Sequence, residues 1–255
     1  MAEKALSFDR IRRLIATAVG FVFFGIAGAI FGLTLLPDAL NKKNRTLERQ
    51  YRARRKNAAV WRAFLAYLRI SGVLSFTLNG FERLGRPGQV IFCNHPSLLD
   101  VLFMVGHVRD VNCIVKKDLL NNPVMHAQIL SCGYLPNDES LELIEQADEI
   151  LQTQCLLIFP EGTRTGWDNR IHLNRGAVSI GLRSAQVITP VIIKMTPPNF
   201  KKNQPWYKIP RRKIHYEIMV GEDIDPQTWL REKPLPIAAR RLTEYLQNHL
   251  QQEST

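Results

Sequence analysis

The stretch QVIFCNHPSLLD, residues 89–100, contains the transition that decides the fold. Its first five residues, apart from the leading glutamine, are apolar, and they predict a buried strand at 89–93. A polar turn follows, and Pro96 suits the first position of a helix that we expect near 97–107. A strand that passes directly into a helix is typical of a layered α/β domain.

The same alternation continues on both sides of this stretch. The other predicted strands are 75–80, 111–116, 154–159, 187–194 and 213–221. The other predicted helices lie near 118–131, 140–153, 175–185 and 235–251. No internal repeat or long linker interrupts the pattern, so residues 73–255 are expected to form a single α/β domain.

The positive charge of the chain is concentrated at its N-terminal end. The chain has 34 Lys and Arg against 23 Asp and Glu, a net charge of +11. Residues 1–70 contain 14 basic and 4 acidic side chains, whereas residues 71–255 contain 20 and 19. A nucleic-acid-binding domain should carry its basic face on the folded part, so this distribution disfavours nucleic acid as a partner.

An uncharged segment, residues 14–37, explains much of this asymmetry. It exceeds the ~20 apolar residues that a membrane helix needs, and it is longer than the apolar core of a signal peptide. We therefore expect residues 1–41 to be a membrane-anchoring helix with basic flanks, while a re-entrant segment within one leaflet stays open. The larger basic flank follows the segment, which predicts that the body lies on the cytoplasmic face of the inner membrane.

Residues 42–72 are expected to form a basic amphipathic helix. Trp61, Phe64, Leu65 and Leu68 follow one another at helical spacing. Such a helix can lie at the headgroup level with its arginines on anionic lipid. Alternatively, its apolar stripe packs on the body and its charged face is solvated.

The four cysteines, Cys93, Cys113, Cys132 and Cys155, have no CxxC spacing. We expect buried free thiols in a reducing compartment rather than a disulfide framework or a zinc site. The histidines other than His95 are scattered, and no set of residues has the spacing of metal ligands.

His95 and Asp100 are the first candidates for chemistry, because they follow the strand 89–93 directly. A carboxylate that holds one ring nitrogen of a histidine leaves the other nitrogen free to accept a proton from a hydroxyl. The alternative is structural: a histidine near the start of a helix, with an aspartate that the helix N-terminus favours.

FPEGTRT, residues 159–165, is the second candidate motif, and it follows another apolar strand. Open α/β sheets bind ligands at the carboxyl ends of their strands, so both motifs are expected to face one cleft. Arg164 is suited to a bidentate contact with phosphate or carboxylate, and Glu161 to accepting a hydrogen bond from a hydroxyl. A surface ion pair between these two side chains is the alternative.

NHPSLLD at 94–100, followed about 60 residues later by FPEGTRT, resembles the glycerolipid acyltransferase family of the lysophosphatidic-acid type. The segment 175–192 resembles a later block of the same family. The resemblance implies a mixed, mostly parallel α/β sheet flanked by helices, with an N-terminal membrane helix, and a catalytic domain at 73–255. It also implies transfer of a fatty acyl group from acyl-CoA or acyl-carrier protein to a lipid-like hydroxyl, with no further cofactor and no metal.

By the same resemblance, His95 is the general base and Asp100 orients it. The implied substrate-binding residues are Asn94, Ser97, Lys117, Glu161, Gly162, Thr163 and Arg164. No serine lies in a Gly-x-Ser-x-Gly elbow, so we expect direct attack by the acceptor hydroxyl without an acyl-enzyme. Backbone N–H groups near the helix start or the Gly162 turn are candidate donors to the oxyanion.

One block departs from the family pattern. The family has an arginine credited with phosphate binding where residues 137–139 read Asn-Asp-Glu, and an acidic pair there would repel a phosphate. A phosphate-bearing acceptor would then depend on Arg164, with help from Lys117. The alternatives are a specialised non-phosphate lipid, such as a glycolipid or aminolipid, and a non-catalytic membrane adaptor that binds lipid or carrier protein.

A basic cluster follows the family-like region, with Trp206 and Tyr207 in its midst. It comprises Lys201, Lys202, Lys208, Arg211, Arg212 and Lys213. Such a loop can contact lipid headgroups or an acidic carrier protein. A solvated basic hairpin that leads into the strand 213–221 is the alternative.

Overall fold

The structure, a computed structural model, describes residues 8–40, 46–138 and 141–254. Its α-helices are α1 (Phe8–Leu40), α2 (Leu47–Ile70), α3 (Asp100–His107), α4 (Pro123–Cys132), α5 (Leu141–Leu151), α6 (Arg175–Ser184), α7 (Pro226–Glu232) and α8 (Leu235–Ser254). Its strands are β1 (Leu74–Asn79), β2 (Gln89–Cys93), β3 (Asn112–Lys116), β4 (Leu135–Asn137), β5 (Leu156–Ile158), β6 (Val187–Thr196) and β7 (Ile214–Val220). Short 3₁₀ turns lie at Phe81–Arg83 and Lys117–Asn121.

The seven strands form one sheet in the order β1-β7-β6-β2-β5-β3-β4. Neighbouring strands are parallel except β6 and β7, which are antiparallel. The apolar run of β2 is buried along its whole length because β5 and β6 flank it and helices cover the sheet. The predicted mixed, mostly parallel α/β sheet is confirmed.

Several boundaries differ from the sequence prediction. Helix α3 begins at Asp100 and not near residue 97, so Pro96 and Ser97 belong to the preceding turn. The helix predicted near 118–131 is divided into a 3₁₀ turn and α4. Strand β4 was not predicted, because three residues that include Pro136 show no periodicity. Helix α7 was also missed, although Asp225 caps it in the usual way by accepting a hydrogen bond from the backbone N–H of Gln227.

Helix α2 packs on the body through its apolar stripe. Trp61, Phe64, Leu65 and Leu68 are buried. Arg54 is buried as well, and its guanidinium donates to the carbonyl oxygen of Cys132 at 2.7 Å. Helix α2 is therefore attached to the body at several points, and its charged side chains other than Arg54 are exposed.

Helix α1 contains a segment, Phe8–Leu35, that is long and apolar enough to cross a membrane by length and composition. One of its faces lies on α2 and α4. The Tyr67 hydroxyl donates to the carbonyl oxygen of Ala16 at 2.9 Å, and the Ser131 hydroxyl donates to that of Leu35 at 3.1 Å. The opposite face is an exposed apolar stripe, made by Phe8, Ile11, Ile15, Val19, Val22, Ile26, Ile30 and Leu33.

The first turns of α1 also hold the loop that precedes β7. Arg13 is only 2% exposed, and its guanidinium donates to the carbonyl oxygens of Pro210, Arg211 and Arg212 at 3.0, 2.6 and 3.1 Å. An arginine fork suits this task, because its fixed array of donors reaches several carbonyls at once.

All four cysteines are free and buried, as predicted. Burial raises the pKa of Cys113 and Cys132 to about 12 and that of Cys155 to about 11. Burial also raises the pKa of Cys93, which lies two residues before His95, so its thiol stays protonated and is a poor nucleophile.

Candidate active site

The two sequence motifs meet at one edge of the sheet. Strands β2 and β5 are parallel neighbours, so the turns that follow them lie side by side. The backbone N–H of His95 donates to Glu161 Oε1 at 2.7 Å, and the backbone N–H of Thr165 donates to the carbonyl oxygen of His95 at 2.7 Å. Each turn thus fixes the other.

His95 and Asp100 form a hydrogen-bonded pair. His95 Nδ1 lies 2.8 Å from Asp100 Oδ2, and we assign the proton to Nδ1 because the carboxylate can only accept. This tautomer leaves Nε2 without a partner in the described part of the chain. The imidazole is 16% exposed, and its ring lies 4.5 Å from that of Phe159. The pair can therefore accept a proton at Nε2 while Asp100 stabilises the resulting imidazolium.

Asp100 is fully buried, which requires strong compensation for its charge. Besides His95, it accepts from the backbone N–H of Ser97 at 2.6 Å and from the Ser97 hydroxyl at 2.5 Å. It is also the first residue of α3, where the helix dipole favours a negative charge. Asp100 therefore has both of the expected roles, because it lies at the start of the helix and it pairs with His95.

Glu161, in the second motif, connects the turn after β5 to the turn after β2. Its Oε1 accepts from the backbone of His95 and from the Thr165 hydroxyl, at 2.7 and 2.9 Å. Burial raises the pKa of Glu161, although both of these hydrogen bonds act in the opposite direction. The predicted alternative, an ion pair with Arg164, is not among the ion pairs of the described residues.

Arg164 is anchored at one end and free at the other. Its Nη1 donates to the carbonyl oxygens of Phe200 and Lys201 at 2.9 and 3.2 Å. Its Nε and Nη2 have no hydrogen-bond partner in the described ranges. Partial burial lowers the pKa of Arg164, but the group stays charged at any physiological pH. The free donors are suited to an anion.

The Gly162 turn borders open space. Gly162 has φ +65°, and a Cβ at this position would meet no atom within 4 Å. Its own N–H donates to the carbonyl oxygen of Phe159, so it is not an oxyanion donor in this arrangement. The next two backbone N–H groups, of Thr163 and Arg164, have no acceptor within the described residues.

Two of the predicted substrate-binding residues, Asn94 and Ser97, are buried, whereas Lys117 is exposed. The buried Asn94 amide donates to the carbonyl oxygen of Ile193 and accepts from its N–H, at 2.9 and 2.7 Å. The backbone N–H and the hydroxyl of Ser97 both donate hydrogen bonds to Asp100. Lys117 lies at the start of the 3₁₀ turn after β3. In the block that departs from the family pattern, Asn137 and Asp138 are exposed, and Glu139 lies outside the described residues.

Sequence reasoning placed Lys201 in an exposed basic cluster, and this was wrong. Lys201 is only 2% exposed, and its Nζ donates to the carbonyl oxygen of Gly166 and to Asn169 Oδ1, at 2.6 and 2.5 Å. Arg164 thus donates from the loop after β5 to the loop before β7, and Lys201 donates from the loop before β7 to the loop after β5. The other five members of the cluster are exposed.

Tyr216 was missed as well. Its hydroxyl lies 3.0 Å from Ser97 Oγ and is fully buried. The alternation along the predicted strand 213–221 places Tyr216 on the same face as Ile214 and Ile218, which indicates burial but not a polar contact.

Residues 75–194 match the family model described as Acyltransferase. A 1-acyl-sn-glycerol-3-phosphate acyltransferase of Pseudomonas aeruginosa is 24% identical over 51% of this chain and 54% of its own length. A protein of the same name from Saccharomyces cerevisiae is 26% identical over 56% of this chain and 51% of its own length. The chain thus spans about half the length of these relatives.

The crystal structure of the 1-acyl-sn-glycerophosphate (LPA) acyltransferase PlsC from Thermotoga maritima has the same fold. It superimposes with a TM-score of 0.66 at 19% identity, over 95% of this chain and 98% of that chain. Residues 75–194, which contain both motifs of the candidate site, therefore match the acyltransferase family model.

Proposed function

We propose that the chain is a membrane-associated O-acyltransferase. It would transfer a fatty acyl group from acyl-CoA or acyl-carrier protein to the hydroxyl of a lysophospholipid-like acceptor, of the 1-acylglycerol 3-phosphate type. The observation that carries this proposal is the 2.8 Å contact between His95 Nδ1 and Asp100 Oδ2 beside a loop that presents Arg164. The names of the matched relatives support the same activity.

The residues suit direct transfer in two steps. His95 Nε2 takes the proton of the acceptor hydroxyl as its oxygen attacks the thioester carbonyl, and Asp100 stabilises the imidazolium. The tetrahedral intermediate then expels the thiolate, which receives the proton from the imidazolium. The unpartnered backbone N–H groups of Thr163 and Arg164 are our candidates for donors to the oxyanion.

The free donors of Arg164 favour an anionic acceptor, because a guanidinium binds phosphate through two parallel hydrogen bonds. Lys117 adds a second positive charge from the turn after β3. The exposed Asn137 and Asp138, in the block where the family has an arginine, favour the second candidate, a specialised lipid without phosphate. A panel of acceptors distinguishes the two.

A location on the inner membrane, with the body on the cytoplasmic side, belongs to the same proposal. The exposed apolar stripe of α1 would enter the acyl chains, and the exposed basic side chains of α2 would face anionic headgroups. The exposed Trp206 and Tyr207, which suit the membrane interface, lie in the loop that α1 holds.

The activity is tested with the full chain in detergent or lipid vesicles, by measuring thiol release from acyl-CoA and from acyl-carrier protein. We expect release only when an acceptor is added, and fastest with 1-acylglycerol 3-phosphate. A preference for a monoacylated glycolipid or aminolipid would support the second candidate. Lipid binding without thiol release for any acceptor would instead indicate a non-catalytic adaptor.

Replacing the proposed base is the most direct mutational test. We expect His95→Ala to lower kcat by roughly 10²–10⁴-fold, the usual contribution of general base catalysis, with an unchanged melting temperature. His215→Ala is the matched control, since this exposed histidine contacts Ser75 on a neighbouring strand. Turnover of His95→Ala at the rate of the control would exclude His95 as the base.

A further inference from the structure

A chain of hydrogen bonds leads from the candidate dyad into the sheet. Ser97 Oγ lies 2.5 Å from Asp100 Oδ1 and 3.0 Å from the hydroxyl oxygen of Tyr216. Tyr216 belongs to β7, outside the residues that match the family model. Strand β7 is paired with β1 on one side and with β6 on the other, so the backbone of Tyr216 is held on both sides.

The direction of the protons in this chain follows from the groups present. Asp100, as a carboxylate, only accepts, so the single proton of the Ser97 hydroxyl points to it. Burial and the negative charge of Asp100 raise the pKa of Tyr216, so its hydroxyl stays protonated. Ser97 Oγ is the one partner of that hydroxyl within the described residues. Tyr216 therefore donates to Ser97, and Ser97 donates to Asp100.

We propose that Tyr216 is a positioning residue of the His95–Asp100 pair: its hydroxyl orients Ser97, which in turn fixes the Asp100 carboxylate. This inference rests on the proposed function. A carboxylate that is fully buried needs fixed donors, and a donor chain polarises each of its members. Tyr216 lies in a strand that is paired on both sides, whereas the turn 94–99 has no regular secondary structure.

Loss of the Tyr216 hydroxyl would weaken the hydrogen bond that Ser97 donates to Asp100. More negative charge would then remain on the Asp100 carboxylate. The His95 imidazolium would then be held more strongly, and His95 would lose its proton at a higher pH. The other titratable groups that act on Asp100 are unchanged by this substitution; they are Cys93, Glu161, Arg164 and Lys201.

The kinetic test is a double-mutant cycle of Tyr216→Phe and Ser97→Ala in the full chain. We expect Tyr216→Phe to lower kcat roughly threefold to tenfold, as for one hydrogen bond, with an unchanged KM for both substrates. In the Ser97→Ala background the same substitution should have no further effect on kcat. Tyr134→Phe is the matched control, because Tyr134 is a buried tyrosine whose hydroxyl bonds Asn57 outside the site.

A second measurement does not depend on turnover. The modification of His95 by diethyl pyrocarbonate is followed by mass spectrometry as a function of pH, because this reagent reacts with the neutral imidazole. We expect the midpoint to shift to higher pH in Tyr216→Phe and to stay unchanged in Tyr134→Phe. An unshifted midpoint, or additive losses of kcat in the cycle, would overturn the role of Tyr216. A shifted midpoint in a protein that transfers no acyl group would support that role and refute the proposed function.

Discussion

In the proposed function, Arg164 would have two tasks that a sequence motif does not separate. Its Nη1 closes a loop by donating to the carbonyl oxygens of Phe200 and Lys201, and its remaining donors have no partner within the described residues. A lysine at this position would keep the positive charge but could not serve both tasks, because it lacks the planar array of donors.

We therefore expect Arg164→Lys to raise the KM for 1-acylglycerol 3-phosphate by about tenfold or more, the usual effect of losing a charged hydrogen bond. The KM for the acyl donor should stay the same. Steady-state kinetics with each substrate varied in turn provides the measurement, and Arg170→Lys, in the exposed part of the same loop, is the control. An unchanged acceptor KM would show that the acceptor's anion is bound elsewhere.

At this scale, the sequence allowed prediction of residues that are close along the chain. His95 and Asp100 are five positions apart and pair as expected, and the 94–100 and 159–165 motifs meet because their strands are neighbours. Tyr216 could not be predicted, since it lies 119 positions after Ser97 in the sequence. The burial of Lys201 was unpredictable for a similar reason, because its partners, Gly166 and Asn169, lie in a distant loop.

At the scale of elements, hydrophobic periodicity predicted the long helices and the buried strands, and missed the short pieces. Strand β4 has three residues and is ordered by its pairing with β3. The start of α3 was placed too early, because Pro96 suits the first position of a helix. The chain instead turns before the helix begins at Asp100, where the carboxylate accepts a hydrogen bond from the backbone N–H of Ser97.

The buried side chain of Arg13 contributes three of the hydrogen bonds between helix α1 and the loop 197–213, which gives a prediction for this pair of elements. We expect Arg13→Met to keep the apolar packing of the side chain but release the loop, because three carbonyl oxygens lose their donor. Trypsin cleavage after Arg211 or Arg212 should then accelerate by roughly tenfold, because the loop loses hydrogen bonds from a charged donor.

The matched variant for this experiment is Arg12→Met. Arg12 is the neighbouring residue, but it is exposed and bonds Asp9 and the carbonyl oxygen of Ser71. We expect its cleavage rate to equal that of the unmodified protein. Equal acceleration in both variants would mean that general destabilisation, and not the Arg13 contacts, opens the loop.

At the scale of the whole molecule, α1 lies along the body for most of its length. Its contacts include those of Arg13 with the loop before β7 and extend to Leu35, which contacts α4. At the helical rise these residues are about 33 Å apart, as far as the hydrocarbon core of a bilayer is thick. If α1 crossed the membrane with these contacts intact, α2 would have to enter the hydrocarbon together with its exposed Arg52, Arg55 and Lys56.

We therefore expect α1 to lie in one leaflet, with its exposed stripe in the acyl chains and both of its ends on the same side of the membrane. Because the four native cysteines are buried, a single introduced cysteine can be labelled selectively with a membrane-impermeant maleimide. Phe8→Cys, at the exposed start of α1, and Gln227→Cys, on the body, should react from the same side in sealed vesicles of known orientation. Leu33→Cys, within the stripe, should react from neither side until detergent is added. Labelling of Phe8→Cys from the opposite side would establish a crossing helix, and the contacts of α1 with α4 would then have to break in the membrane.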